Sequence, residues 1–144
     1  MTGERLDRGR VTRWSIVFAL TILLLGSLSQ RVSGTPDSNP WYQALVKPAL
    51  QPPGWAFGLG WTILYTLLGI ALAIVVCTRE SAPRRAAIGL FVVQLAMNFA
   101  WSPLFFRYRL IEESLWLLVA LFVAATLTAW QFGRVRAVAG WLLV

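Results

Sequence analysis

Four long stretches of this chain carry no charge. Trp14–Gln30 is 17 residues and Trp55–Thr78 is 24, while 21 residues separate Arg85 from Arg107 and 20 separate Glu113 from Arg134. A helix rises about 1.5 Å per residue, so roughly 20 apolar residues cross the hydrocarbon core of a bilayer. The runs predict membrane-spanning helices at about 14–30, 55–78, 86–106 and 114–133, the first slightly short. A fifth apolar run, 137–144, is long enough for only part of a span. Hydrophobic residues make up 58% of the chain and charged residues 13%, about half the charged share of soluble domains. The expected fold is an all-α integral membrane protein, a five-transmembrane-helix bundle with its fifth helix truncated, built as a single domain over 1–144.

Arginines 5, 8, 10 and 13 precede the first run, as they would a signal peptide. Its apolar stretch is longer than a signal core, and Leu28-Ser29-Gln30-Arg31 is a poor cleavage site. The helix is read as retained. Three further observations limit the chemistry. The chain has no His, which removes Ser-His-Asp and Cys-His catalysis, His-based zinc sites and a His-ligated haem. A lone Cys77 excludes an internal disulfide and a Cys-rich metal cluster. No charged residue lies inside a span, so a proton or ion relay lacks its usual groups.

The net charge of +7 reflects orientation rather than nucleic-acid binding. The N-terminal tail, the second connection (Arg79, Arg84, Arg85) and the fourth (Arg134, Arg136) share one side of the membrane and hold nine of the 13 cations. Arg31, Lys47, Arg107 and Arg109 lie on the other. The positive-inside rule then places the N-terminus in the cytoplasm. Helical spans with this arginine bias favour a bacterial inner membrane, with lipids as partners and no nucleic acid.

Short connections predict antiparallel neighbours, but the first connection, 31–54, is long. It is dense in turn formers from Ser33 to Pro40, then carries Trp41-Tyr42-Gln43-Ala44-Leu45. Lys47-Pro48 and Pro52-Pro53 stiffen it. It is expected to be an ordered cap over the outer end of the bundle. At the start of the fourth span, Glu112 and Glu113 suit the positive end of the helix dipole and Ser114 suits the cap.

Polar groups in hydrocarbon mark protein-facing surfaces. Gln94, Asn98, Trp101 and Phe105 share one face of helix three, either as interhelical glue, as a ligand site or as both. Gly58, Trp61, Tyr65 and Gly69 share a face of helix two. Of eight tryptophans, Trp14, Trp116, Trp130 and Trp141 fall near span ends as interfacial anchors. Trp41, Trp55, Trp61 and Trp101 gather around the loop and the adjoining helix ends. They predict an aromatic cavity for a flat apolar ligand, with Lys47 at the rim to meet a carboxylate. A porphyrin has both features, whereas a sterol uses the charge less well.

The ordered motifs Trp41-Tyr42-x-x-Leu45-x-Lys47-Pro48, Pro52-Pro53-x-Trp55, Trp61-x-x-Leu64-Tyr65-x-x-x-Gly69 and Gln94-Leu95-x-x-Asn98-x-x-Trp101-Ser102-Pro103-Leu104-Phe105-Phe106 resemble the translocator protein family, also called tryptophan-rich sensory proteins (TspO/MBR). The resemblance runs from about Trp14 to Val144. It implies a bundle of five membrane helices, often homodimeric, with a pocket beneath the first loop for protoporphyrin IX, haem or sterols. It matches Trp61 to a pocket tryptophan, and Trp55, Phe57, Gly58, Asn98 and Trp101 to positions lining or adjoining the pocket. The family's Pro-Tyr-x-x-Trp stretch of helix five begins where this sequence stops, at Val144. Arg107 stands where glycine is usual.

The expected function is a membrane receptor or carrier for tetrapyrroles, with a role in their regulation, transport or stress signalling. The porphyrin or haem acts as ligand, and no resident cofactor or metal is required. The alternative is a light- and oxygen-dependent enzyme that degrades porphyrin, with Trp61 as its redox residue. A third reading is an assembly protein that binds a membrane partner.

Overall fold

A computed structural model describes residues 6–144; Arg5, counted among the N-terminal cations, lies outside the described residues. Among the described residues the chain is helical and has no strands. The elements are α1 (Arg8–Ser33), α2 (Pro40–Ala44), α3 (Gly54–Cys77), α4 (Ala82–Ser102), α5 (Ile111–Val135) and α6 (Ala137–Trp141). A 3₁₀ turn, Pro36–Ser38, precedes α2, and a π-helical turn, Pro103–Arg107, extends α4. Four helices are long and apolar enough to cross a membrane.

The first span is longer than its uncharged run. Asp7 accepts hydrogen bonds from the Gly9 and Arg10 backbone N–H groups and so starts α1 a turn and a half before Trp14. The helix continues to Ser33 and ends at Gly34, whose φ of 81° suits glycine. Its 26 residues reach ~39 Å, so arginine-bearing turns extend beyond the apolar stretch at both ends. The start of α5 also differs from expectation. Glu112 and Glu113 occupy the first turn, but Leu110 is the cap residue. Ser114 lies one turn inside the helix, buried, with its hydroxyl donating to the Leu110 carbonyl.

The bundle is built as two helix pairs, α1 with α3 and α4 with α5, and α6 packs against α5 and α3. Glycines set the first pairing. A Cβ at Gly69 would stand 2.5 Å from the Ala19 backbone nitrogen and 2.6 Å from its Cα, so α1 and α3 touch backbone to backbone. Gly26 leaves the space that the Tyr65 ring fills. The α5–α6 contact is similar, with a Cβ at Gly140 falling 2.7 Å from the Gly133 Cα. Phe91 and Phe132 stack at 5.6 Å to join α4 and α5. Outward-facing residues are apolar, including Leu24 (65% exposed), Trp116 (65%) and Phe122 (74%). In water such a surface would drive association; in lipid it is the solvated face.

The turn between α3 and α4 is short and pinned. Arg84 donates from Nε to the Val75 carbonyl at 3.2 Å and from Nη2 to the Val76 carbonyl at 2.9 Å, which satisfies carbonyls at the end of α3. Even so, α3 packs mainly on α1 and meets α4 over a smaller area. Chain adjacency alone therefore does not decide its chief neighbour; the small residues facing α1 do. Away from the turn the pairs are joined again by Ser29, whose hydroxyl donates to the Phe99 carbonyl at 2.7 Å, and a cleft lies between α3, α4 and α5.

Candidate functional site

The long connection holds a 3₁₀ turn and the short helix α2, each capped by side chains. Thr35 and Ser38 form a reciprocal capping box around the 3₁₀ turn. Asn39 caps α2 by accepting from the Tyr42 N–H, and its Nδ2 donates to the Phe106 carbonyl at 3.0 Å. This second bond ties the loop to the π-helical turn. Gln51 Nε2 donates to the Tyr42 hydroxyl at 2.9 Å. The Asp37 carboxylate sits against Gly54, where an added Cβ would lie 2.5 Å from Oδ2. Gly54 opens α3, so an anion is favoured there by the helix dipole.

The sequence-predicted site residues fall into separate groups. Trp41, Trp101 and Phe105 come together, with Tyr42 and Phe106, at the outer ends of α2 and α4. Trp101 and Phe105 stack at 5.1 Å with planes 7° apart, Trp41 meets Phe105 edge-on at 5.6 Å, and Tyr42 meets Phe106 at 5.3 Å. The π-helical turn presents Phe105 and Phe106 together to the loop. The indole of Trp101 donates to the Ser114 carbonyl at 3.2 Å. These rings contact one another and clamp the loop onto the bundle. Arg109, at a φ of 57°, places its guanidinium 5.8 Å from the Trp41 ring centre.

Lys47 is turned onto the loop, with Nζ 4.7 Å above the Tyr42 ring and 3.2 Å from Gln43 Oε1. Together with Phe57 it lines a shallow polar cleft of about 280 Å³. Trp55 is 72% exposed and joins neither group. Gly58 faces open space.

The remaining residues meet deeper in the bundle. Trp61 and Tyr65 lie 5.4 Å apart on α3, and Tyr65 meets Phe99 edge-on at 5.8 Å. The Tyr65 hydroxyl donates to Asn98 Oδ1 at 2.9 Å. This bond leaves the Asn98 NH₂ group as the available donor. Beside it is a cavity of about 420 Å³ lined by Leu64, Leu68, Gln94, Asn98, Leu118, Leu121, Phe122, Ala125, Thr128 and Leu143. Gln94 is 4% exposed, and its side chain has no hydrogen-bond partner among the described residues. The cavity is thus an apolar chamber at mid-depth with one amide face. Trp61 adjoins it through Tyr65 rather than lining it.

The α5 wall was not identified from sequence. Leu118, Leu121, Ala125 and Thr128 follow helical spacing and put one stripe of α5 on the cavity. The signal available was Thr128, a polar residue inside a span. Among the described residues, no group of three or more His, Cys, Asp or Glu side chains is placed to hold a metal ion.

Comparison with known proteins agrees with the motifs. The sequence model described as the TspO/MBR family matches residues 15–144. The tryptophan-rich protein TspO of Chlorobaculum tepidum is 38% identical over 112 residues, covering 76% of this chain and 71% of its own length. The tryptophan-rich sensory protein of Cereibacter sphaeroides is 35% identical, covering 76% of this chain and 66% of its own. The human translocator protein is 38% identical over 94 residues, covering 62% of this chain and 56% of its own. The matches therefore span between about half and seven-tenths of these relatives. With four apolar spans, the loop motifs in place and a family match over nearly its whole length, this chain is an integral membrane protein belonging to the TspO/MBR family.

Proposed function

We propose that this protein is a membrane receptor or carrier for tetrapyrroles, and that its ligand occupies the chamber between α3, α4 and α5. One observation carries the reading. Gln94 is buried in hydrocarbon beside Asn98, with its amide turned to an apolar cavity and no protein partner. An amide within a membrane span calls for a polar partner, and a ligand with polar atoms supplies one. The cavity volume, about 420 Å³, is within the range of small-molecule sites. Its leucines and Phe122 suit a flat apolar ring, and the two amides suit the ring's polar substituents. Phe122, mostly exposed, lies at the lipid side and gives a lateral entrance.

On this reading porphyrin or haem is cargo or signal, and no resident cofactor takes part. The sensory and translocator names of the relatives are in keeping with binding of a small molecule within the membrane. The arginine-rich end, which carries the N-terminus, faces the cytoplasm of a bacterial cell. The homodimer common in the family belongs to the same proposal.

The test is a titration of protoporphyrin IX into purified protein, read by tryptophan fluorescence. Saturable quenching is expected. Leu121→Trp, which fills the chamber, and the pair Gln94→Leu with Asn98→Leu are each expected to weaken binding by about tenfold, on the order of 1.4 kcal/mol. Unchanged affinity in all of these variants would refute the assignment.

A further inference from the structure

The lining of the chamber bears on which kind of tetrapyrrole can enter it. Leucines, Phe122 and Ala125 make most of the wall, and the polar lining residues are Gln94, Asn98 and Thr128, all uncharged. The Thr128 hydroxyl donates its hydrogen to the Ala124 carbonyl at 2.7 Å. The Tyr65 hydroxyl holds Asn98 Oδ1 at 2.9 Å. The donors left for a ligand are therefore the NH₂ groups of Asn98 and Gln94.

No lysine or arginine lines the chamber. Lys47, expected at the rim to meet a carboxylate, instead lies over the Tyr42 ring at 4.7 Å and 3.2 Å from Gln43 Oε1. Arg109 is held against Trp41, and Arg84 is bonded to the carbonyls at the inner end of α3. A carboxylate carried into this space loses its water and gains no counter-ion, so it must first take up a proton. An ester or ketone carbonyl accepts from the same two amides without that step. We infer that the chamber selects a tetrapyrrole whose inserted edge is uncharged, bearing an ester or ketone, over the free dicarboxylate. The inference rests on the tetrapyrrole reading above and narrows it. Tyr65 is a positioning residue for the choice, because it keeps the Asn98 carbonyl occupied and the amide hydrogens toward the ligand.

The experiment compares protoporphyrin IX with its dimethyl ester, each titrated into the purified full chain at neutral pH and corrected for partition into empty micelles. Tryptophan fluorescence is the readout. A carboxyl with an ordinary pKa of about 4.3 is protonated in only about one molecule in 500 at neutral pH, so the ester is expected to bind at least about tenfold more tightly. Leu64→Lys, at a lining position 40% exposed, supplies the missing cation and should reverse the order. Tyr65→Phe lets Asn98 turn its carbonyl inward. The ester, which only accepts, should then weaken, whereas a protonated carboxyl, which also donates, should not, so the ratio narrows. Diacid binding equal to or tighter than the ester, or an ester preference untouched by both variants, would overturn this inference and leave the tetrapyrrole reading standing. If neither compound quenches saturably, both fall.

Discussion

Gly69→Ala tests the backbone contact on which the α1–α3 pair depends. The added Cβ would lie 2.5 Å from the Ala19 nitrogen, 2.6 Å from its Cα and 2.9 Å from its Cβ. Ordinary contact begins nearly 1 Å farther out, and the first two atoms are backbone, so no rotamer change relieves the clash. The helices must separate locally. Overpacking of this kind costs about 1–3 kcal/mol, against a helix-propensity gain of up to about 1 kcal/mol for Gly→Ala. Gly58→Ala, in the same helix, separates the two effects because its Cβ meets nothing within 4 Å. Gly58→Ala is expected to be neutral or mildly stabilising. Gly69→Ala should be less stable than Gly58→Ala by about 1–3 kcal/mol. Thermal or SDS-induced unfolding in detergent, followed by circular dichroism, measures the difference. Adding Ala19→Gly removes only the 2.9 Å contact and should recover less than half the loss. Equal stability of the two alanine variants, or full recovery with Ala19→Gly, would refute the close-approach argument.

Two further outcomes follow from single side chains. Asn39→Ala removes both the α2 cap and the bond to the Phe106 carbonyl; it should cost about 1 kcal/mol and speed proteolytic cleavage between residues 34 and 53, with little change in helix content. Arg84→Ala strips two hydrogen bonds from the carbonyls at the end of α3; the half-buried position points to a loss of about 1–2 kcal/mol, read as a lower unfolding midpoint, whereas Arg85→Ala, on an exposed ion pair, should change stability by less than about 0.5 kcal/mol.

The four spans were legible because charge is expensive in hydrocarbon, and so the ends of each apolar run are written in arginine and glutamate. The ordered loop was legible for a related reason, since Trp41 and Tyr42 need burial and the prolines restrict the backbone. Helix ends were less so. Asp7 extends α1 well before the apolar run, and Ser114, a plausible cap by residue type, is instead used inside the helix. The α5 wall of the chamber was hidden for a deeper reason. In water, hydrophobicity separates core from surface; in a bilayer, Leu118 toward the cavity and Leu115 toward lipid are chemically alike. Only polar residues such as Gln94, Asn98 and Thr128 betray the inner face. The aromatic positions were foreseeable, but their partners were not: Trp41 and Trp101 contact Phe105, while Trp55 faces outward.

The hydrogen bond from Asn39 to the Phe106 carbonyl has a mechanical consequence. Residues 34–53 are covalently part of the α1–α3 pair, yet they are fastened to the tip of α4. They act as a strap across the two halves of the molecule at one end. At the opposite end the Arg84 bonds to the Val75 and Val76 carbonyls fasten the same seam. The two halves are therefore laced together at both faces of the membrane, and any yielding between them must take place in the middle.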